Sequence, residues 1–470
     1  MTTTTSTTSS SATSGTITSL GVGSGLDLDS LLDSLQEAEE TSLLTPIENK
    51  EDDINSEITA YGTLTSALTS LQTAIATLSD ASTYEGMTSS VSGTGLTAAV
   101  TSDAVAGSYS IEVTQLATSQ SLATDGVADQ TAELGEGTLT IQVGDEDAIS
   151  ITLTSANNSL EGIRDAINAA GGSVTASIVN DGSDTPYRLV LTSDNTGTDS
   201  EMTVSYDGDG DAADLFGYSA DSDSNAMTQT VAASDALLTI NGLDVTSQSN
   251  TVDTALTGVT LSLTATGTST LKVAQDTDTI IDAINDFVDA YNSYAETVDT
   301  LTAYDSEDDT AGVLIGDSTT RRIDTQLSKD LYNSISGGTY SYLSQLGVTL
   351  GVDGTLSIDD DALEDAVTGN ISAVQDFFVG TDDSDGFATQ MATDLDTYLD
   401  EDNGLIVSVT DGLESQLEDL EDKYEEKQAF IDSEMDRYTE QFTALDTLIA
   451  QLDSTADYLT TQFDALSSDS

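Results

Sequence analysis

Residues 411–464 read DGLESQLEDLEDKYEEKQAFIDSEMDRYTEQFTALDTLIAQLDSTADYLTTQFD, and this stretch decides the fold of the chain. It contains no proline, and an apolar side chain recurs at every seventh position along it. A repeat of seven over so many turns predicts one helix that is longer than a globular helix and packs in a coiled coil or bundle. The apolar row consists of Leu417, Tyr424, Ile431, Tyr438, Leu445, Leu452 and Leu459.

The companion row of this helix is mixed in character, which leaves two packing arrangements open. One arrangement is a self-associating coiled coil. In the other, the helix pairs with a helix from the N-terminal end and leaves its polar companion positions for other subunits. The companion row is apolar at Leu413, Leu420 and Leu448 and polar at Lys427, Glu434 and Gln441.

The N-terminal end carries a matching helical pattern. Pro46 stands where a helix can begin, since a first turn tolerates proline. A shorter amphipathic helix precedes it, with Asp27 or Asp29 as a plausible N-cap. The long helix has one row at Ile47, Ile54, Tyr61, Leu68 and Ile75 and a partner row at Leu64, Leu71 and Leu78, and the shorter helix has Leu28, Leu31, Leu32 and Leu35.

Residues 86–275 change character, because short β-rich runs there are separated by Gly, Asp, Asn and Ser. This pattern predicts antiparallel strands joined by turns, interrupted by one helix at Leu160–Ala170 that ends at Gly171-Gly172. The predicted strands are Tyr109–Thr114, Thr138–Val143, Ile151–Thr154, Tyr187–Thr192, Val259–Leu263 and Thr270–Val273. Helical patterns return at Thr279–Tyr304, Ser318–Tyr332 and Asp360–Val367, with a hairpin over Gly347–Ile358 that turns at Asp353-Gly354.

We therefore expect an α+β multidomain fold, in which helices from both termini form a coiled-coil or helical-bundle stalk and antiparallel β-rich outer domains are inserted between them. The predicted segments are a disordered Thr/Ser-rich leader at 1–19, an N-terminal helical leg at 20–85, an inner β domain made of 86–120 with 232–275, an outer β domain at 121–231, a helical domain with a β-hairpin at 276–405, and a C-terminal coiled-coil leg at 406–470.

The composition excludes several classes of function. The 470 residues include 84 Asp and Glu, only 10 Lys and Arg, and no His or Cys. Binding of nucleic acid through a basic patch needs clustered cations, which this chain lacks, and histidine-based catalysis, disulfides and Cys/His zinc sites need residues that are absent. No apolar run is long enough for membrane insertion, and the N-terminus has no Sec signal pattern. We expect neither an enzyme nor a cofactor.

The net charge of −74 has two interpretations. Low hydrophobicity with high net charge favours a disordered acidic chain. Against disorder, apolar residues recur periodically through most of the length, so we favour a folded protein whose surface suits concentrated salt. At about 1 M salt the screening length falls to about 3 Å, which largely cancels repulsion between surface charges.

Two short motifs suggest ligand binding but are incomplete. Gly21–Gly25 is glycine-rich, yet no strand precedes it and no lysine follows, so a flexible hinge explains it better than a nucleotide site. Asp207–Asp211 matches the first half of a calcium loop, but Ala212 and Tyr218 stand where that loop needs glycine and glutamate. A solvated acidic loop is the simpler interpretation.

Several stretches taken together resemble the bacterial flagellar filament-cap family, hook-associated protein 2 (FliD). The segment 155–197 is similar to the flagellin IN motif, which flagellins and cap proteins share. The N-terminal resemblance lies in Ile17–Asp27, Leu44–Ile47 and Ala60–Leu64, and the C-terminal resemblance in Leu256–Leu261, Phe287–Asn292, Leu314–Ser318, Leu346–Thr349, Gly354–Asp359, Gly404–Ile406 and Ser454–Leu459.

The resemblance implies a protein that is exported unfolded by the flagellar type III apparatus and acts outside the cell at the filament tip. It implies a ring of identical subunits, typically a pentamer, that promotes flagellin polymerisation, prevents leakage of monomers and supports motility, with adhesion as a further role. The implied partners are flagellin, hook-filament junction proteins and an export chaperone. Its terminal helices would be legs in the flagellin lattice, with the two heptad rows as their binding surfaces.

Two alternatives stay open at the level of sequence. One is another flagellar axial protein, either a flagellin or a hook-filament junction protein, although Gly23–Asp27 and Phe287–Asn292 argue against it. The other is a secreted calcium-dependent adhesin with Asp207–Asp211 as its site. Arg321 and Arg322 are rare positive charges, and they form either ion pairs between subunits or local pairs with Asp317 or Asp324.

Overall fold

The computed structural model describes residues 27–305 and 310–468, and in it the chain folds into two compact units. The first unit combines the N-terminal part up to Ser79 with Ala283–Ala366 and the part from Ala373 onward. The second unit consists of Asp80–Asp282 with Val367–Ser372. The predicted leader at 1–19 and the predicted hinge at Gly21–Gly25 lie outside the described residues. Helices and antiparallel strands coexist, so the predicted α+β multidomain class is confirmed.

The helices of the described ranges include two unusually long ones, at the two ends of the chain. Asp27 is the N-cap of the first helix, where its Oδ1 accepts a hydrogen bond from the Ser30 amide at 3.2 Å. The helices are α1 (Leu28–Leu43), α2 (Thr45–Ser79), α3 (Leu160–Ala170), α4 (Ala212–Leu215), α5 (Thr277–Thr302), α6 (Ser318–Tyr332), α7 (Asp360–Gly369), α8 (Ile371–Phe378), α9 (Phe387–Leu399) and α10 (Leu405–Ser468).

The terminal helices pair with each other in the first unit, as one of the two sequence interpretations expects. Both α1 and α2 contact α10, and α2 also contacts α9. The pairing is antiparallel, because Tyr424 of α10 contacts Glu48 of α2 while Glu421, earlier in α10, lies near Glu51, later in α2. The Tyr424 hydroxyl donates to Glu48 Oε1 at 3.4 Å. The helix predicted from residue 411 begins earlier, at Leu405, since Gly404 closes the preceding turn by donating to the Asp400 carbonyl.

An aromatic cluster fills the centre of the first unit. Phe387, at the start of α9, lies edge-on to Phe287 of α5 at 5.6 Å between ring centroids and stacks on Phe377 of α8 at 5.8 Å. Phe378 also contacts Phe387, edge-on at 6.0 Å. All four rings are at most 2% exposed. Aromatic pairs in these geometries contribute stability beyond that from the apolar area they bury. This cluster is therefore a main source of stability for the first unit, which we call the helical unit.

The prediction for residues 276–405 was incomplete in its helices. The helix expected to run to Tyr304 ends at Thr302, and Tyr304 begins a two-residue strand. Helices α8 and α9 were not predicted. The signal for α9 is nevertheless present, since its buried residues recur with helical spacing, namely Phe387, Ala388, Met391, Leu395 and Tyr398.

The strands of the described ranges lie mainly in the second unit and form antiparallel ladders. They are β1 (Met87–Gly93), β2 (Leu96–Val100), β3 (Gly107–Gln115), β4 (Ser121–Ala123), β5 (Gly137–Val143), β6 (Ile149–Leu153), β7 (Val174–Asn180), β8 (Tyr187–Ser193), β9 (Met202–Gly208), β10 (Thr228–Val231), β11 (Ala236–Ile240), β12 (Leu243–Ser247), β13 (Thr251–Leu256), β14 (Val259–Leu263), β15 (Gly267–Gln275), β16 (Tyr304–Asp305), β17 (Thr310–Ala311), β18 (Val348–Leu350), β19 (Leu356–Ile358), β20 (Gly380–Thr381) and β21 (Ser384–Asp385).

The second unit contains two separate hydrophobic cores. A five-stranded sheet in the order β1-β15-β3-β11-β12 and a three-stranded sheet β13-β14-β2 enclose one core, drawn from residues 96–117 and 236–273. A four-stranded sheet β10-β4-β8-β7 and a three-stranded sheet β6-β5-β9, together with α3, enclose the other, drawn from residues 122–227. Alternating burial along β5 and β14 is typical of strands with one face on a core.

Candidate assembly surface of the terminal helices

The N-terminal heptad rows are buried inside the first unit. Ile54, Tyr61, Leu68 and Ile75 are between 0 and 3% exposed, and only Ile47, at the start of the row, is half-buried. The partner row of Leu64, Leu71 and Leu78 is fully buried. These residues therefore build the packing of α2 against its own chain, and they are not available to a second molecule.

The C-terminal heptad row changes from buried to exposed along α10. Leu417, Tyr424 and Tyr438 are half-buried, and Ile431 is fully buried. Further along, the exposure rises to 42% at Leu445, 59% at Leu452 and 49% at Leu459. From residue 451 to residue 464 every side chain is exposed. The row thus performs two tasks, packing within the chain in its first half and presenting apolar side chains in its second half.

The change in exposure follows from the lengths of the paired helices. Glu48 lies beside Tyr424, and α1 begins at Leu28, which is 20 positions before Glu48. In an antiparallel register Leu28 is therefore opposite about residue 444. Beyond that point no described helix faces α10. We call the exposed large side chains there the distal apolar row, which consists of Leu445, Leu448, Leu452, Tyr458, Leu459 and Phe463.

Two of the three polar companion positions of α10 form local ion pairs. Lys427 lies 3.9 Å from the carboxylate of Glu426. Glu434 forms an ion pair with Arg437, whose guanidinium lies 5.4 Å from the centre of the Tyr438 ring. Gln441 is exposed. Ion pairs at such accessible positions contribute about 0–1 kcal/mol of stability. They therefore add little to the packing of α10, which depends on the apolar row.

Three comparisons with known proteins bear on this architecture. Sequence models described as the N-terminus and the C-terminus of flagellar hook-associated protein 2 match residues 24–120 and 233–454, and the flagellin hook IN motif matches residues 138–195. The chain is 42% identical to the flagellar hook-associated protein 2 of Escherichia coli strain K12, over 95% of this chain and 98% of that protein. This chain belongs to the flagellar hook-associated protein 2 family.

Other members of the family agree with this assignment. The flagellar hook-associated protein 2 of Salmonella typhimurium is 38% identical over 96% of this chain and 99% of that protein. The crystal structure of the D1-D2-D3 domains of the flagellar cap protein FliD from Escherichia coli aligns with a TM-score of 0.65 and 41% identity, covering 76% of this chain and 99% of that one. The predicted family and its IN motif are thereby confirmed.

Several residues that carry the family resemblance prove to be structural. In the IN motif, the side-chain amide of Asn168 on α3 both donates to the Ala176 carbonyl and accepts from the Ala176 amide, at 2.9 and 2.8 Å. Asn292 on α5 contacts Leu356 of β19 in the same way, at 2.9 and 2.7 Å. Each asparagine satisfies one backbone residue at a strand edge and so joins a helix to a strand.

The arginine pair of α6 has no ionic partner among the described residues. Arg321 and Arg322 are both exposed, and neither lies within 4.0 Å of a described carboxylate. Arg321 instead donates from Nη2 to the Gly316 carbonyl at 3.3 Å. Asp317 is engaged as the N-cap of α6, accepting from the Thr320 amide at 2.7 Å. Of the two alternatives for the arginine pair, the local pair with Asp317 or Asp324 is therefore not formed in the described structure.

The acidic loop Asp207–Asp211 is engaged in strand and backbone contacts. Within residues 27–305 and 310–468 there is no group of three or more acidic, histidine or cysteine side chains placed to hold a metal ion. Asp207 belongs to strand β9, and Asp209 Oδ1 accepts a hydrogen bond from the Glu136 amide at 3.1 Å. The described helices also contain no stretch that is long and apolar enough to cross a membrane.

Acidic side chains face each other across the α2–α10 pair. Glu48 and Glu51 of α2 line the same groove as Glu421 of α10, and none of the three forms an ion pair with a described lysine or arginine. Partial burial and then the neighbouring carboxylates, Glu421 first, raise the pKa of Glu51. This repulsion opposes helix pairing, and it weakens as salt shortens the screening length.

The substitution Glu421→Gln is expected to stabilise the helical unit at low salt and to have no effect at high salt. Removing one of the facing carboxylates should raise the melting temperature by about 1–3 °C at 10 mM NaCl, since such exposed pairs contribute less than about 1 kcal/mol. Circular dichroism melts at 10 mM and 1 M NaCl measure the difference. Asp419→Asn, on an exposed and differently facing position of α10, is the matched control. An equal stabilisation by both variants would mean that the lower net charge alone, and not the facing carboxylates, causes the effect.

Proposed function

We propose that this chain forms the cap at the distal tip of a bacterial flagellar filament, where it promotes polymerisation of flagellin and prevents loss of monomers. The observation that carries the proposal is the near-complete coverage of flagellar hook-associated protein 2 sequences at 42% identity. A relative of known structure is described as a flagellar cap protein. Filament growth and motility are the expected consequences in the cell, with adhesion as a further role.

The two ends of the chain would take different parts in this assembly. The two β cores correspond to an inner domain, from 86–120 with 232–275, and an outer domain at 121–231 that carries the IN motif. The helices at 20–85 and 406–470 are the legs, and the helical segment 276–405 supports them. Because the distal apolar row of α10 presents several large apolar side chains along one helix, we assign it the contact with other subunits of the filament tip.

The partners follow from the family. The proposed assembly is a ring of copies of this chain, a pentamer as is typical of the family, in contact with flagellin and with the hook-filament junction proteins during assembly. An export chaperone would hold the chain before the flagellar type III apparatus secretes it to the tip of the flagellum. Arg321 and Arg322, which have no described ionic partner, supply two cations for pairs between subunits of this acidic protein. The proposed activity is structural and involves no catalysis.

The alternatives are less well supported. A flagellin would share the IN motif, and flagellins and junction proteins would share paired terminal helices, but the matches at both ends of this chain are to the hook-associated protein 2 termini. A calcium-dependent adhesin would need an acidic loop whose carboxylates converge, and in the described residues Asp209 is bound to the Glu136 backbone instead.

A shortened chain tests the proposal in cells. Deletion of the gene is expected to leave bare hooks and flagellin monomers in the medium, and normal filaments in that mutant would exclude a cap. In complementation, a chain ending at Ala450 should fold but fail to restore filaments, because it lacks only residues whose described side chains are exposed. A chain ending at Thr410 also loses Leu413 and Ile431 from the packing, so it should lose stability as well. Restored filaments with the Ala450 chain would refute the part of the distal apolar row beyond residue 450 as the contact.

A further inference from the structure

A buried carboxyl group and a half-buried one meet between α6 and α9 of the helical unit. Asp330, in the last turn of α6, is only 6% exposed. The Gln326 side-chain amide, one turn earlier, donates to Asp330 Oδ1 at 3.0 Å and to Asp394 Oδ2 of α9 at 3.2 Å. One NH₂ group therefore holds both carboxyl groups against each other. The α6 N-cap, the heptad rows and the distal apolar row do not involve this pair.

The second oxygen of Asp330 is the unusual feature of the cluster. Asp330 Oδ2 is buried and has no hydrogen-bond partner in the described part of the chain. A buried carboxylate oxygen without a donor is costly, and a second carboxylate beside it adds repulsion. The C-terminal turn of a helix also disfavours negative charge. Three separate effects therefore disfavour ionisation of Asp330 in the folded chain.

The charged and titratable groups around the pair do not provide the missing donor. Lys329 precedes Asp330 on α6 but forms no ion pair with it within 4.0 Å, and on α9 the nearby Tyr398 is itself buried. Arg322 acts on Tyr398 from α6. Asn333 reaches only the other oxygen, with its Nδ2 3.5 Å from Asp330 Oδ1. The remaining ways to satisfy Oδ2 are a proton, a small cation or a buried water, and of these only the proton also removes the repulsion between two carboxylates without needing a full ligand shell.

The donors around the pair favour the proton. A cation site needs about six oxygen ligands, and here only two carboxyl groups converge while Gln326 directs its NH₂ group at them. We propose that Asp330 and Asp394 hold one proton between them, and that this shared proton fastens α6 to α9 more tightly below neutral pH than above it. The carboxyl pair is then a pH-sensitive contact inside the helical unit.

The titration of Asp330 supports the proposal and sets its pH range. Burial, followed by the Asp394 carboxylate, raises the pKa of Asp330 from 3.8 to about 7. A folded-state pKa above the unfolded one means that the folded chain binds the proton more tightly. The stabilisation is complete below about pH 4, falls as the pH rises through about 7, and is absent above that.

The test compares wild type with Asp330→Asn as the pH is raised. An asparagine amide supplies permanently the hydrogen that the proton supplies only at low pH, so the variant should match wild type at about pH 4 and exceed it increasingly as the pH rises. At pH 8 it should melt about 3–6 °C higher than wild type. Asp289→Asn, which removes an exposed carboxylate from α5, is the control and should show no such pH dependence. A difference between Asp330→Asn and wild type that stays constant from pH 5 to pH 8 would overturn the proposal.

Two further measurements keep the result unambiguous. If Asp330→Asn fails to fold, Asp394→Asn should show the same pH dependence, and wild type at pH 6 should give the infrared carbonyl stretch of a protonated carboxylic acid. Absence of both overturns the shared proton. At pH 8, replacing tetramethylammonium chloride with NaCl or KCl at equal ionic strength should not stabilise wild type more than Asp330→Asn. A stabilisation specific to Na⁺ or K⁺ in wild type would instead assign a cation to the pair.

Discussion

The double substitution Leu452→Gln and Leu459→Gln is expected to abolish filament growth while the chain itself stays folded. Both side chains belong to the distal apolar row, and their exposure of 59% and 49% means that neither supports a described core. Exposed substitutions usually change stability by less than about 0.5 kcal/mol. If a partner buries both leucines, however, each contributes about 1.5 kcal/mol or more. The variant should therefore bind at the filament tip about 100-fold more weakly, since 1.4 kcal/mol is about tenfold in affinity.

The measurement combines cell biology with a stability check. Cells that produce only the double variant should show bare hooks by electron microscopy and flagellin in the medium. The purified variant should melt within about 1 °C of wild type. The matched control is Ser454→Gln with Thr461→Gln, two exposed polar positions that lie two residues further along the same helix and on a different face. Filaments of normal length from the leucine variant, with the control also normal, would place the contact elsewhere.

The helices and the family were accessible from the sequence because their signals are local. A heptad row indicates which face of a helix is apolar. The helices α2 and α10 contain the segments that these rows predicted. Leu160–Ala170 was predicted residue for residue, because Ser159 caps one end and Gly171, with a φ of 69°, ends the other. Each of these features depends on neighbours within a few positions along the chain.

The exposure of the α10 row was not accessible, because it depends on the end of another helix. Ile431 and Leu452 occupy equivalent heptad positions, yet one is fully buried and the other is 59% exposed. The difference arises from the antiparallel register with α1, which begins at Leu28. A periodic pattern records that a face is apolar, and it does not record whether the same chain or a partner covers it.

Polar contacts between distant segments could also not be predicted from the sequence. Asp330 and Asp394 are separated by 64 positions, and in a chain with 84 acidic residues no carboxylate stands out. The same holds for Asn168 and Asn292, whose amides bind strand backbones. The family resemblance included both asparagines but did not indicate their role. The structure shows that each asparagine forms hydrogen bonds with two backbone groups at a strand edge, which would otherwise be unsatisfied.

The substitution Phe387→Ala is expected to have the largest effect on stability of any single change considered for the helical unit. The ring is 2% exposed and contacts Phe287, Phe377 and Phe378, so its removal leaves a cavity among three aromatic side chains. Such truncations cost about 3–5 kcal/mol, which is a large part of the roughly 5–15 kcal/mol that stabilises a domain. Denaturant unfolding followed by circular dichroism at helical wavelengths should therefore show the transition at a much lower midpoint.

Phe463→Ala is the matched control, because the same side chain is removed from a position that is 68% exposed. It should shift the unfolding free energy by less than about 0.5 kcal/mol, although it belongs to the distal apolar row and should weaken binding at the filament tip. The two phenylalanines thus separate stability from assembly. Hydrogen exchange adds a second readout, since Phe387→Ala should speed exchange in α5 and α9 and leave β3 and β14, which have a separate core, unchanged. Equal stability losses from both variants would mean that the aromatic cluster is not the centre of the helical unit.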